Sequence, residues 1–100
     1  MPAQVVWSIR SLADLTAIIG WIAAENPSAA KRVGDELRLQ TRQLENFPQS
    51  GRLYDHYAFG EVREIVVAPD RIFYRLTDDA RTVRILRVWH AARGMPEFTD

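Results

Sequence analysis

The sequence predicts an α+β fold of order β-α-α-β-β-β: a helical hairpin packed on a mainly antiparallel sheet. Three observations predict it. Two neighbouring stretches carry apolar residues at helical spacing and are parted only by Asn26-Pro27. Three β-rich runs then follow in quick succession, joined by turns too short for anything but antiparallel pairing. Finally, 100 residues that are 47% hydrophobic suffice for one core and not two, so residues 1–100 are expected to form a single domain.

The elements follow in order. Residues 3–7 (Ala-Gln-Val-Val-Trp) form a short strand, expected at a sheet edge. Ser8 is a helix N-cap candidate, and Ser11 with Asp14 offers a second in capping-box spacing. Leu12, Leu15, Ile18, Ile19 and Ile22 make one apolar stripe, which Asn26-Pro27 ends. Ser28 is expected to cap the second helix, whose stripe is Ala30, Val33, Leu37, Leu44 and Phe47; Pro48 stops it. The short connection makes the two helices antiparallel neighbours. Residues 48–60, rich in turn formers and aromatics, are expected to form an ordered loop. Strands over 62–67, 71–76 and 82–89 are separated by Ala68-Pro69-Asp70 and Thr77-Asp78-Asp79-Ala80. Residues 94–100 are expected to be a polar, mobile tail.

Formal net charge is zero, which argues against a global field that draws in nucleic acid or membrane. The distribution is uneven: residues 62–93 hold seven arginines against four acids, a balance of +3. Lys31 is the only lysine, so cationic chemistry here is almost wholly the planar, bidentate chemistry of arginine, a bias that a GC-rich genome also produces. With no cysteine there is no disulfide framework and no thiolate site. No signal peptide and no stretch of eighteen apolar residues is evident, so a cytoplasmic protein with no membrane partner is expected.

Strand alternation sorts the side chains that could carry chemistry. In the middle strand of the meander Ile72, Tyr74 and Leu76 share one face, and Arg71, Phe73 and Arg75 the other. In the last strand the alternation groups Val83, Ile85, Arg87 and Trp89 against Arg84, Leu86, Val88 and His90, and neither group is purely apolar. One face must meet the helices. The other mixes arginine with aromatics and reads either as a binding surface or as a solvated face with snorkelling arginines. His90, with Arg93 close behind, is the candidate general base, although a lone histidine is more often structural or merely exposed. His56, in the loop, is a weaker candidate. Two histidines so far apart, without cysteine, make no metal site, and no glycine-rich phosphate loop or serine nucleophile elbow is present, so neither metal nor cofactor is expected. Trp7, Trp21 and Trp89 read as core or interface aromatics.

The run Asp14-Leu15…Ile18…Trp21-Ile22-Ala23…Asn26-Pro27…Ala29-Ala30, and Leu44…Pro48…Gly51-Arg52 after it, resembles the helical hairpin of the ParE/RelE toxin superfamily. Val62-Arg63-Glu64-Ile65-Val66-Val67, Arg71-Ile72-Phe73-Tyr74-Arg75 and Ile85-Leu86-Arg87-Val88-Trp89-His90…Arg93 are similar to its three meander strands. The resemblance covers about residues 4–94, in order.

The resemblance implies the toxin of a type II toxin–antitoxin pair, held by a small cognate antitoxin, growth-inhibiting, of the kind that serves plasmid stabilisation, and meeting operator DNA only through that antitoxin. ParE-like members inhibit DNA gyrase and have no recognised catalytic residues; RelE-like members cut mRNA on the ribosome. For a cutter the resemblance points to His90, Arg71 and Arg93 as catalytic candidates. For either branch it points to Arg63, Arg71, Arg87, His90 and Arg93 as contacts to target or antitoxin. The sequence departs from the cutters where it offers Phe98 in place of a tyrosine and Ala91 and Ala92 at positions usually basic. Phenylalanine has no proton to transfer. The ParE-like branch is therefore favoured, with the ribosome-dependent mRNA endoribonuclease as the alternative and a non-toxic antitoxin-binding module as a third reading.

Overall fold

The computed structural model describes residues 1–90, 93, 94 and 96–98. Strand β1 (Gln4–Trp7) leads into helices α1 (Ile9–Ala23) and α2 (Pro27–Gln43), followed by strands β2 (Arg52–Tyr57), β3 (Gly60–Val67), β4 (Asp70–Thr77) and β5 (Thr82–His90). The five strands lie in the order β1-β5-β4-β3-β2. β1 runs parallel to β5 at one edge, and every other pairing is antiparallel. The predicted fold is therefore present, with one strand more than expected.

The extra strand is β2, in the stretch expected to be a loop. Two features hide it. Its residues, Arg52-Leu53-Tyr54-Asp55-His56-Tyr57, are mostly polar, and its register slips between Leu53 and Asp55, which breaks the period-two pattern. The hairpin to β3 turns at Ala58-Phe59 without the glycine or asparagine pair that marks such turns, although Gly60 has a left-handed φ of 127°.

Helix starts follow local chemistry. The Ser8 hydroxyl accepts from Ser11 N at 3.0 Å and caps α1, so the Ser11–Asp14 alternative is not used. Asn26, not Ser28, caps α2: its carboxamide oxygen accepts from Ala29 N at 3.1 Å, and Pro27 takes the first helical position, where a missing N–H costs nothing. Both stripes face the sheet only in part. Leu15, Ala30, Leu37 and Leu44 are buried, and Ile18, Ile19 and Val33 pack against them, whereas Leu12 and Phe47, at the margins of the stripes, are exposed.

The helix-facing core joins these residues to Ile72, Tyr74, Val83, Ile85 and Val88 of the sheet. A second cluster lies on the opposite face: Val62, Phe73, Leu86 and Trp89, with Tyr54, Tyr57, Phe59 and Phe98 packed against it. Phe98, assigned to the polar tail by the sequence, sits 5.0 Å from the Phe73 ring and 5.3 Å from the Tyr57 ring, centroid to centroid, edge-on to both. No helix among the described residues is long and apolar enough to cross a membrane.

One buried hydrogen-bonded corner fixes the passage from α2 into the sheet. The Tyr74 hydroxyl donates to Pro48 O at 2.9 Å and accepts from Gly51 N at 2.8 Å. Burial pushes the Tyr74 phenol up, against the opposing effect of the Gly51 N–H. A Cβ on Gly51 would lie 2.5 Å from that hydroxyl, so the spacing Pro48…Gly51 is set by close packing.

Candidate functional site

The site is organised by an irregularity in β5. Ile85 pairs with Tyr74 and Arg87 pairs with Phe73, which leaves Leu86 as an extra, bulged residue. Strict alternation therefore fails. Val83, Ile85 and Val88 all face the helices, while Leu86 and Trp89 belong to the opposite cluster. The two mixed faces expected from the sequence resolve into one aliphatic face and one aromatic face once the bulge is counted.

The beginning of α1 holds that bulge. The Ser8 hydroxyl donates to Leu86 O at 3.1 Å, and the Asp14 carboxylate accepts from Val88 N at 3.0 Å. Asp14 also takes both arms of Arg87, Nε at 2.7 Å and Nη2 at 2.8 Å. Both side chains are buried. The bidentate contact with Asp14 raises the Arg87 pKa still further, outweighing the opposing effect of burial. The sequence places Arg87 among the candidate target and antitoxin contacts; in the structure its guanidinium is directed inward, bridging sheet and helix.

Beyond the bulge, His90 turns to the helix side. Its Nδ1 lies 2.9 Å from the buried Asp70 carboxylate, and its ring stands 6.5 Å from the Trp21 ring. Arg93 reaches back to Asp14 at 3.8 Å and lies 4.1 Å from the centre of the Trp89 ring, which Arg87 also approaches at 4.8 Å. Together these residues border a cleft of about 600 Å³ between α1 and the end of β5, lined by Ala13, Ala17, Trp21, Pro69, His90 and Arg93 among others.

The other sequence candidates lie apart from it. Arg71 is next to Trp89 in the ladder but on the aromatic side, where it approaches the Phe73 ring at 5.2 Å and the buried Glu64 carboxylate at 3.5 Å. Arg63 donates to Gly51 O at 2.9 Å and belongs to the corner after α2. His56 is exposed on β2. Among the described residues no cluster of His, Cys, Asp or Glu is arranged to hold a metal ion. The structure thus brings His90 and Arg93 together at the cleft, which Arg63 and Arg71 do not line.

Sequence reasoning missed the two carboxylates, Asp14 and Asp70, that anchor the site. Asp14 did leave a signal: it shares the helical phase of Ser11, Leu15 and Ile18, so it stands on the buried face of α1, where an unpaired charge is not tolerated.

Comparison with known proteins places this arrangement. Residues 5–95 match the family model described as the ParE toxin of the type II toxin–antitoxin system parDE. This chain belongs to the ParE toxin family. The protein named Toxin RelE2 of Caulobacter vibrioides is 42% identical over 91 residues, covering 91% of this chain and 98% of that relative. Two solved structures share the fold of this ParE-family chain. One, titled a chromosomal ParDE TA system from P. aeruginosa, aligns with a TM-score of 0.73 at 20% identity, over 88% of this chain and 95% of its own. The other, titled the toxin–antitoxin complex RelBE2 from Mycobacterium tuberculosis, aligns with a TM-score of 0.63 at 22% identity, over 90% and 99%. Relatives thus carry both ParE and RelE names, and the chain is a type II toxin of the ParE/RelE superfamily.

Proposed function

We propose that this toxin acts in the ParE-like manner, stopping growth by binding and inhibiting DNA gyrase, and that a small cognate antitoxin in the cytoplasm neutralises it and carries it to operator DNA. The observation behind this reading is charge compensation inside the chain. Arg87 is paired with Asp14, and Arg71 lies 3.5 Å from the buried Glu64, which also holds Arg52 at 2.6 Å; His90 is hydrogen-bonded to Asp70. A ribonuclease needs cations turned toward phosphate and a group to move the 2′-hydroxyl proton. Here Arg87 and Arg71 face carboxylates within the chain, and the resemblance sets Phe98 where a cutter has a tyrosine. The antitoxin half of the proposal is supported by the family, and by the solved relatives whose titles name toxin–antitoxin systems.

One contact favours the RelE-like alternative: a histidine backed by a buried carboxylate at 2.9 Å, open on a cleft, is an arrangement that can serve as a general base. Induced expression, a transcript-end map and a supercoiling assay with purified gyrase separate the readings. Gyrase inhibition without cleaved transcripts is expected, with His90→Gln retaining substantial toxicity. Ribosome-dependent cleavage that falls at least about 100-fold in His90→Gln, the scale of a lost general base, would establish the RelE-like function instead. Failure of induction to slow growth would leave only an antitoxin-binding module.

A further inference from the structure

The sheet ends in two unlike edges. β2 carries Arg52, Asp55 and His56, and its register slips between Leu53 and Asp55. Charges and a bulge keep an edge strand from pairing with another chain. β1 has neither: Gln4-Val5-Val6-Trp7 holds no charge, no proline and no slip in its register with β5. Gln4 N and Ser8 N donate to Arg81 O and Ile85 O, at 2.8 and 3.0 Å, so the backbone groups of Gln4, Val6 and Ser8 turn to β5. Those of the alternate residues point the other way. Val5 and Trp7 therefore turn theirs to a side on which no strand among the described residues lies.

The two ends of this open edge complement each other. Ala3 N donates to Glu45 O at 2.7 Å, which brings the end of α2 to the start of β1. α1 starts at the other end. Exposed apolar residues stand at both: Met1, and Phe47 two residues past Glu45, at the first, and Ile9 and Leu12 at the second. The charges are opposite, with Glu45 at the first end and Arg10 at the second. Arg38 and Arg42, which border a cleft along this side with Val5, Trp7 and Leu12, stand on α2 in the helix layer, and Arg38 lies 3.7 Å from Asp35 of the same helix. An antiparallel partner of the same sequence thus sets apolar residues on apolar ones, and Glu45 of each copy toward Arg10 of the other.

We propose that two copies of the chain pair β1 with β1, antiparallel, about a two-fold axis at Val6, joining their sheets into one. The register follows from the backbone groups that are open. Val5 of one copy exchanges N–H and C=O bonds with Trp7 of the other, and Val6 lies opposite Val6 as a non-hydrogen-bonded pair, about 4.5 Å between Cα atoms. A register centred on Val5 would set Trp7 against Ala3, whose N–H is already taken by Glu45 O. The pairing is the same whichever target the toxin has.

The chain has no cysteine, so a single introduced thiol reports the register. Val6 belongs to neither buried cluster and Gln4 is exposed, so both positions accept substitution with the fold intact, which thermal unfolding of each variant checks. Two Val6→Cys thiols meet across the axis within disulfide reach. Two Gln4→Cys thiols, on the same face, are set four residues apart, roughly 13 Å, beyond the limit of about 7 Å between Cα atoms. The full wild-type chain should sediment as a dimer at high concentration and dissociate on dilution. Under mild oxidation Val6→Cys should form linked dimer at least about tenfold faster than Gln4→Cys. Val6→Lys, which sets like charges directly opposite each other, should weaken the dimer at least about tenfold. Cross-linking of Val6→Cys no faster than that of Gln4→Cys overturns the proposal, as does a dimer that Val6→Lys leaves intact, or a wild type that is monomeric at every concentration. Hydrogen-exchange protection of the Val5 and Trp7 amides that arises only when the antitoxin is added also overturns it, and gives the edge to that partner instead.

Discussion

The two faces of the sheet are built from different materials. Under the helices the contacts are mainly aliphatic: Leu15, Leu37 and Leu44 against Ile72, Val83, Ile85 and Val88, with Tyr74 the buried ring and Trp7 packed beside them. On the other side they are aromatic: Phe73 and Trp89, with Tyr54, Tyr57, Phe59 and Phe98, and with Arg71 and Arg75 lying over the Phe73 and Phe59 rings. The difference follows from what covers each face. Two helices cover the centre of the first, so shape-fitting branched side chains fill it. The second meets the β2–β3 hairpin, Phe98 and the backbone of Gly94 and Glu97, with Arg93 over Trp89, and flat rings topped by guanidinium groups can shield an interior while their outer edges stay wet. The helical face should therefore be brittle to truncation and the aromatic face forgiving.

The largest effect is expected where the faces are tied together. Asp14→Ala removes the partner of a buried arginine and of Val88 N, and should cost about 3–5 kcal/mol, measured by urea unfolding. A loss under about 1 kcal/mol would mean that water takes the place of the carboxylate. Next comes Leu37→Ala, fully buried on the helical side, at about 2–5 kcal/mol. The exposed Leu39→Ala on the same helix should stay within about 0.5 kcal/mol, and equal costs would dissolve the distinction between the two faces of α2. Tyr74→Phe should cost about 1–3 kcal/mol, because Gly51 N and Pro48 O lose their partner. This variant also carries a pH signature. Burial raises the phenol pKa in the folded state above its ordinary value near 10. Its contribution is thus fully present below that value and is lost as pH climbs through the folded-state pKa. Wild type should lose stability above about pH 10 more steeply than Tyr74→Phe, and parallel profiles would assign the alkaline loss elsewhere. Smallest is Phe98→Ala, at about 0.5–1.5 kcal/mol from its ring contacts. A loss as large as that of Leu37→Ala would show that the aromatic face is as brittle as the helical one.

Legibility in the sequence divides along physical lines. The order of elements was readable because β3, β4 and β5 carry dense branched and aromatic residues between short turns, and because Asn26-Pro27 separates two clear stripes. Leu37 and Leu44, in the stripe of the second helix, are both buried in the helix-facing core. What failed depends on one-residue register and on partners far apart in the chain. Tyr54 and Tyr57 face one side of β2 at a spacing of three, which only the slip between Leu53 and Asp55 permits. Arg87 looked like a surface cation because its partner lies 73 positions earlier, on another element. His90 lies at the end of its strand, as the sequence indicates. That it would face Trp21 across a cleft, supported by Asp70, could not be read before the bulge was known.

The bulge at Leu86 also bears on how related chains should be aligned. Because the extra residue is absorbed without reversing the side chains beyond it, a relative one residue shorter at this point would still present its counterparts of Trp89 and His90 on the same sides of the sheet. Position counted from the N-terminus would differ by one while the spatial address stayed the same. The pairing of Asp14 with Arg87 and Val88 N, not the length of the strand, is the landmark that fixes where the end of β5 lies against α1.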